Sequence, residues 1–356
     1  MTTTFCIGVT RDFLKADGTL GFGDIGLDLL DEAPKVEWEF LAENTTELRP
    51  DQIRGYDGLL VLAPIVSAET LQGADKLAIV ARFGVGYDSV DVAACNDQGV
   101  LLTITPDGVR RPVAVMALTY LLALSHKMLA KDRLVREGRW HERLDYIGMG
   151  VTGRTLGLVG LGNIGREICT LAKPFGIRCI AADPFVDAAQ ARAAGAELVE
   201  LDQLLQSADY VCICCALTEE THHLIGEREF SLMKESAYLI NTARGPIVDQ
   251  QALTRALQQG QIAGAGLDVF ETEPVSEDEP VLALTDQTIV APHGLCWTDE
   301  CFRLIGRSAC TSLVEVASGR LPQHLVNPQA AEHPRLKEKL NHYRASDPRT
   351  EAGQLG

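Results

Sequence analysis

Short apolar runs alternate along the chain with stretches in which apolar residues recur every three or four positions. These are the periods of buried strands and amphipathic helices. From Thr155 the pattern predicts a strand over Thr155 to Val159, a helix over Ile164 to Phe175 and a strand over Ile177 to Ala182. Further strands follow over Tyr210 to Leu217, Ala237 to Thr242, Ala265 to Phe270 and Thr288 to Ala291. Helical segments separate most of them, notably Gln250 to Gln259 with Asp249 as its N-cap. The first hundred residues show a smaller version, with strands over Phe5 to Val9, Gly58 to Leu62, Leu77 to Ala81 and Val100 to Ile104. Alternation of this kind predicts an α/β protein whose parallel sheets carry helices on both faces. Between the halves, Pro112 to Glu137 reads as one long helix, with Pro112 in its first turn and Gly138 ending it. Val113, Ala117, Tyr120, Leu121, Leu124 and Met128 form its apolar stripe. From about Ala330 the chain becomes polar and loses periodicity, as a loose tail would.

Composition narrows the function. A length of 356 residues suggests two domains, and 46% hydrophobic residues suffice for a large core. The longest nearly unbroken apolar run, Val113 to Leu124, is too short to span a bilayer, and the opening MTTTFCIGVT has no basic stretch of a secretory signal. A net charge of −17 repels a phosphate backbone, so neither nucleic acid nor a membrane is an expected partner, though a local Arg can still hold a small anion. Cys212 and Cys215 formally make a CxxC, but in the apolar stretch YVCICCAL they read as part of a buried strand, with no second pair to complete a zinc site. No metal is therefore expected, and ten reduced, mostly buried thiols point to a cytoplasmic protein. His222 and His223 would face opposite sides of an extended chain, which makes them poor joint ligands and better surface or capping residues.

Gly160-Leu161-Gly162-Asn163-Ile164-Gly165 is a GxGxxG, a weak signal in a chain with 32 glycines until its context is added. It follows the strand TLGLV, opens a helix, and has Asp183 eighteen residues after Gly165 at the end of the next strand. That order suits a dinucleotide: Gly160 for the tight turn, Gly162 for the approach of the pyrophosphate, Gly165 for helix packing, and the helix N-terminus for the phosphates. A carboxylate at Asp183 accepts ribose hydroxyls and repels a 2′-phosphate, and no Arg or Lys follows in Pro184-Phe185-Val186, so NAD is expected over NADP. A purely structural glycine-rich turn is the other reading.

Three later segments place polar residues just after strands, where open parallel sheets hold ligands. They are LINTARGPIVD with Arg244, GLDVFETEP with Glu273, and IVAPHGLCW with His293. Together with GVGYDSVD and GLGNIG, in this order and spacing, the chain from about Ala78 to Asn327 resembles the D-isomer-specific 2-hydroxyacid dehydrogenases, including glyoxylate/hydroxypyruvate reductases and phosphoglycerate dehydrogenases without a regulatory domain. The resemblance implies that Arg244 binds the substrate's carboxylate and carbonyl, His293 is the acid/base and Glu273 pairs with it. The chemistry wants these types. Reducing a 2-oxo acid needs a proton on the developing alkoxide, which a His supplies near neutral pH when a carboxylate favours its protonated ring and fixes its tautomer. Arg offers a planar fork for the carboxylate.

By the same resemblance, backbone amides around Val85 and Gly86 take the substrate's carboxylate, and Cys215, Ala216, Thr221, Thr242, Ala243 and Asp268 join Asn163 and Ile164 around NAD; Cys296 and Trp297, unusual after His293, are expected to shape the substrate side of the pocket. It also implies two doubly wound domains: a Rossmann cofactor domain, 109–297, inserted into a flavodoxin-like substrate domain, 1–108 with 298–330, with a polar tail, 331–356, and the active site in the cleft. Family cofactor domains pair, so a homodimer is expected, with the segment from Arg139-Trp140-His141 as a possible arm. Arg82, Arg110 and Arg111 are further candidates for positive charge, or ordinary solvated arginines. Two rival functions stand beside the enzyme: an NAD(H)-sensing corepressor-like protein, and a family member acting on another substrate such as phosphite. Glu273, where formate dehydrogenases carry Gln, argues against formate.

Overall fold

The computed structural model describes residues 4–346. The described residues divide into two compact units, one built from residues 4–109 with 298–346 and one from Arg110–Trp297.

In the first unit, β1 (Phe5–Val9), β2 (Val36–Phe40), β3 (Gly58–Val61), β4 (Ile79–Arg82) and β5 (Leu101–Thr103) form a parallel sheet in the order β2-β1-β3-β4-β5. This is the flavodoxin-like order. The helix Asp299–Ala317 packs over β3 and β4, and on the other side Leu41, Ile53, Leu59, Val61, Val80 and Leu102 close a core. Strands covered on both faces cannot alternate apolar with polar, which is why β3 reads GLLV and is buried throughout.

The second unit has seven parallel strands: β6 (Thr155–Val159), β7 (Arg178–Ala182), β8 (Ala196–Leu198), β9 (Tyr210–Ile213), β10 (Tyr238–Asn241), β11 (Gly264–Leu267) and β12 (Thr288–Val290). Their order is β12-β11-β10-β9-β6-β7-β8, so the winding reverses between β6 and β9. Ligands bind at the carboxyl ends beside such a switch point. Asp249 caps the helix Gln250–Gln258 by accepting from the Ala252 N–H at 2.8 Å.

Two expectations need correction, and two strands are unexpected. The long helix is two: Pro106–Ser125 and Met128–Arg136, bent by 56° at the break. The Ser125 carbonyl accepts the Met149 N–H at 2.7 Å, its hydroxyl meets Tyr210 Oη at 2.7 Å, and Lys127 turns left-handed with φ 50. A tertiary donor thus takes the carbonyl at which the first helix stops. Pro112 lies inside that helix because the helix starts at Pro106, and Met128, beyond the break, leaves the buried stripe and is exposed. Second, much of the supposed tail is the helix Pro334–Ser346, which buries Leu336, Leu340 and Tyr343 and donates from Tyr343 Oη to the buried Asp57 at 2.8 Å. Three apolar residues at i, i+4 and i+7 among charges are enough once a partner surface exists. Residues 347–356 of that tail lie outside the described residues. The two unexpected strands, β2 and β8, lie at sheet edges and carry no apolar run: VEWEF alternates, and AEL is three residues long. No single helix among the described residues is long and apolar enough to cross a membrane.

Because Leu336 is fully buried, Leu336→Ala is expected to destabilise the first unit by about 2–4 kcal/mol in urea unfolding. A loss within about 0.5 kcal/mol, the size of a surface change, would mean the helix contributes nothing.

Candidate active site

Parallel strands bring all their carboxyl ends to one edge, and six of the seven in the second unit lead there into residues with chemistry. After β6, Gly160 takes φ +96, and a Cβ on it would fall 2.7 Å from the Cys215 nitrogen, so only glycine lets the loops after β6 and β9 meet. Gly162 precedes the helix Asn163–Ala172, and a Cβ there would meet nothing within 4 Å. The backbone face at Gly162 is therefore open, with the helix N-terminus beside it, as an approaching pyrophosphate requires. Gly165 is buried and would press a Cβ to 2.8 Å from the Gly160 carbonyl oxygen.

Asp183, after β7, folds back onto this loop: Oδ2 accepts from the Leu161 N–H at 2.7 Å and Oδ1 from the Phe185 N–H at 2.9 Å. Each carboxylate oxygen has a second lone pair, so ribose hydroxyls can still be accepted. After β9, burial pushes the Cys215 thiol up to about 11, and Thr221 Oγ1 donates to the Ala216 carbonyl at 2.7 Å while accepting from the Thr218 N–H at 2.7 Å. An open glycine face, a helix N-terminus and a carboxylate on one rim fit a dinucleotide.

After β10, buried Asn241 accepts from the Ala243 N–H at 3.1 Å and donates to the Arg244 carbonyl at 2.9 Å, fixing the backbone of Thr242 and Ala243. Half-buried Arg244 donates from Nη1 to the Ala243 carbonyl at 2.8 Å. At Gly245 a Cβ would lie 1.8 Å from the Phe270 carbonyl oxygen. The turn carrying Arg244 is thus pressed directly on the backbone that leads from β11 to Glu273. Glu273 Oε1 accepts from the Phe270 N–H at 3.0 Å, and Oε2 lies 2.7 Å from His293 Nδ1.

His293 is a left-handed residue, φ 50. Its N–H donates to the Asp268 carbonyl at 2.8 Å, and Asp268 Oδ1 accepts from the Gly294 and Leu295 N–H groups at 3.1 and 3.0 Å. One buried Asp therefore holds the turn that aims the ring, and Nδ1 on a carboxylate leaves Nε2 as the nitrogen available to a substrate oxygen. Burial pushes the Asp268 carboxyl above its usual value, against the pull of those two N–H donors and the His293 charge. At Glu273 burial also acts upward, but hydrogen bonds from His293 and the Phe270 N–H, with the charges of His293 and Arg244, together outweigh it and hold the carboxyl below its usual range.

Trp297 is just over half exposed and lies over the Gly294 backbone, where a Cβ would come within 3.0 Å of its indole. Val85 and Gly86 are carried by the first unit, in the loop leaving β4, whose Gly84 exchanges hydrogen bonds with Thr105 at 2.9 and 3.1 Å. Arg111 and Arg110 face Glu167 at 2.6 and 3.8 Å. His222 and His223 do not diverge as an extended chain would make them: His223 is left-handed (φ 52), and the two ring centroids lie 4.1 Å apart. Sequence reasoning missed Asn241, whose one signal was a polar residue closing an apolar strand. It also missed the buried Tyr120 hydroxyl, which donates to the Leu267 carbonyl at 3.0 Å directly before Asp268.

Residues 118–294 match the family model described as D-isomer specific 2-hydroxyacid dehydrogenase, NAD binding domain. A glyoxylate reductase of Korarchaeum cryptofilum is 37% identical over 85% of this chain and 92% of its own length. The chain belongs to the D-isomer-specific 2-hydroxyacid dehydrogenases. A D-3-phosphoglycerate dehydrogenase of Archaeoglobus fulgidus is 36% identical over 78% of this chain and 52% of its own. The crystal structure of D-lactate dehydrogenase from Aquifex aeolicus, complexed with NAD and lactic acid, superposes with a TM-score of 0.77 at 25% identity, covering 90% of this chain and 98% of that one. This dehydrogenase uses NAD to interconvert a 2-hydroxy acid and its 2-oxo acid. The corepressor-like and phosphite readings are not favoured.

The lowered Glu273 carboxyl has a pH signature. Its ionised form stabilises the fold above the ordinary value of 4.5, and that contribution is lost as the pH falls through the lowered folded value. Glu273→Gln, an analogue of the protonated acid, is expected to melt below wild type at neutral pH, with the gap closing as the pH drops below 4.5. Melting curves across that range check it; a gap unchanged by acid would contradict the pairing.

Proposed function

We propose that this dehydrogenase reduces a small 2-oxo acid of the glyoxylate type, with Arg244, Glu273 and His293 as its catalytic set. The observation that carries the reading is the 2.7 Å contact between His293 Nδ1 and Glu273, on the rim that also bears Arg244 and the fingerprint. NADH, when bound, supplies the hydride that adds to the carbonyl carbon. The Arg244 fork draws in the substrate's carboxylate and stabilises negative charge on its carbonyl oxygen. His293 Nε2 delivers the proton to that oxygen as the hydride adds, and takes it back in the oxidative direction. Glu273 keeps the other proton on Nδ1 and balances the charge of the ring. Trp297, four residues after His293, bounds the substrate. The archaeal relatives named glyoxylate reductase support the small substrate. The ten free thiols are consistent with a reducing, cytoplasmic setting.

His293→Ala is expected to lower reduction of glyoxylate by about 10²–10⁴-fold while leaving NADH affinity nearly unchanged. Steady-state kinetics with NADH fluorescence titration test this, and full turnover in the variant would remove His293 from the chemistry.

Asp183 is proposed to set the cofactor choice. A lost ribose contact together with repulsion of a 2′-phosphate should favour NADH over NADPH by about 2–4 kcal/mol. Equal specificity constants for the two would contradict it.

A homodimer is also proposed. Met128, Leu129, Val135, Trp140, Leu144 and Ile147, all 45–71% exposed, lie on the helix Met128–Arg136 and the segment just after it, and large apolar side chains left exposed so close together in the chain favour an association surface. Light scattering with size exclusion at micromolar protein should give about twice the 38.6 kDa of one chain. A mass of 38.6 kDa would contradict the dimer.

A further inference from the structure

Two residues before Glu273 there is a second imidazole–carboxylate pair. His223 Nε2 lies 2.6 Å from Glu271 Oε1. His223 reaches it from a left-handed backbone whose N–H donates to the Pro246 carbonyl at 2.8 Å, while Ile225 bonds to Ile247 and Asp249 at 3.1 and 2.9 Å. The chain around His223 therefore runs alongside the stretch that follows Arg244. Glu271 is gripped from a second side: its Oε1 accepts from the Gln250 N–H at 3.3 Å, and its own N–H donates to Gln250 Oε1 at 3.2 Å. Between these ties, the Phe270 carbonyl abuts Gly245 and the Phe270 N–H holds Glu273. The turn from Phe270 to Glu273 is thus fixed at its start by Gly245 and at its middle by His223 and Gln250.

We infer that His223, acting through Glu271, is a positioning residue that holds Glu273 in register with His293. This rests on the roles proposed above for Glu273 and His293. The pair is 42% and 29% exposed at its side chains, and such pairs add little to stability. What it supplies is geometry, where a displacement of about 1 Å near reacting groups can cost up to about 10²-fold.

Two substitutions separate the backbone from the contact. His223→Asn tolerates the left-handed backbone but is too short to reach Glu271, whereas His223→Gln keeps an N–H donor near the reach of Nε2. On the full-length protein, His223→Asn should lower kcat for glyoxylate about tenfold with the KM for NADH held within about twofold. His223→Gln should recover most of the loss, melting temperatures should stay close to wild type, and in a Glu273→Gln background His223→Asn should cost little more. Loss of equal size in both backgrounds, loss that tracks a fall in melting temperature, or identical behaviour of the Asn and Gln variants would overturn the inference. A readout independent of turnover is the His293 ring resonance, identified by its disappearance in His293→Ala. It should move in His223→Asn in the direction it moves in Glu273→Gln, and a resonance that stays put overturns the positioning role. Turnover indifferent to His293→Ala would count against the reductase chemistry alone, with the ring resonance still deciding the role of His223.

Discussion

The Phe270 carbonyl oxygen leaves no room for a side chain at position 245, and the arrangement of the second unit's rim follows from that contact. It ties the exit of β10 to the exit of β11 backbone to backbone. Arg244 is thereby carried on one wall of the joint and Glu273 on the other, close enough for the Arg charge to help keep the Glu ionised. A side chain at 245 would push the two walls apart and separate the cation from the carboxylate. The same economy holds at Gly160, where a missing Cβ lets the loops after β6 and β9 meet.

Around that joint the two carboxylates are driven in opposite directions. Asp268 is buried and its carboxyl is pushed up, yet its oxygen is used to tie down two backbone N–H groups. Glu273 is partly open, faces an imidazole and a guanidinium, and is held down. One acid organises the turn that bears His293; the other supplies its charge. Environment, not residue type, separates the tasks. An overall charge of −17 does not oppose this chemistry, because Arg244 and the helix N-terminus after Gly162 offer positive potential locally.

Much of this was legible in the residues. The strands over Thr155 to Val159 and Phe5 to Val9 could be read from their apolar runs alone, since a parallel strand covered on both faces must be almost continuously apolar. GLGNIG followed by Asp183 carried its own mechanism in its spacing. Arg244, Glu273 and His293 were visible as polar residues where apolar runs stop. The edge strands β2 and β8 were not, because an edge needs little burial. The helix Pro334–Ser346 was not, because three apolar residues among charges show no stripe until a surface receives them.

By itself, then, the sequence determined the class of fold, the dinucleotide loop and the identities of the polar residues at the strand ends, all set by local periodicity and by residues whose chemistry needs no partner to be recognised. Tertiary structure alone decided where the connecting helix breaks, since the Met149 N–H that takes the Ser125 carbonyl comes from a segment more than twenty residues on. It alone decided that His223 turns left-handed to meet Glu271, and that Asp268 grips the amides beyond His293. These are contacts between residues far apart in the chain, and no local pattern encodes a donor that only folding brings within 3 Å of its acceptor.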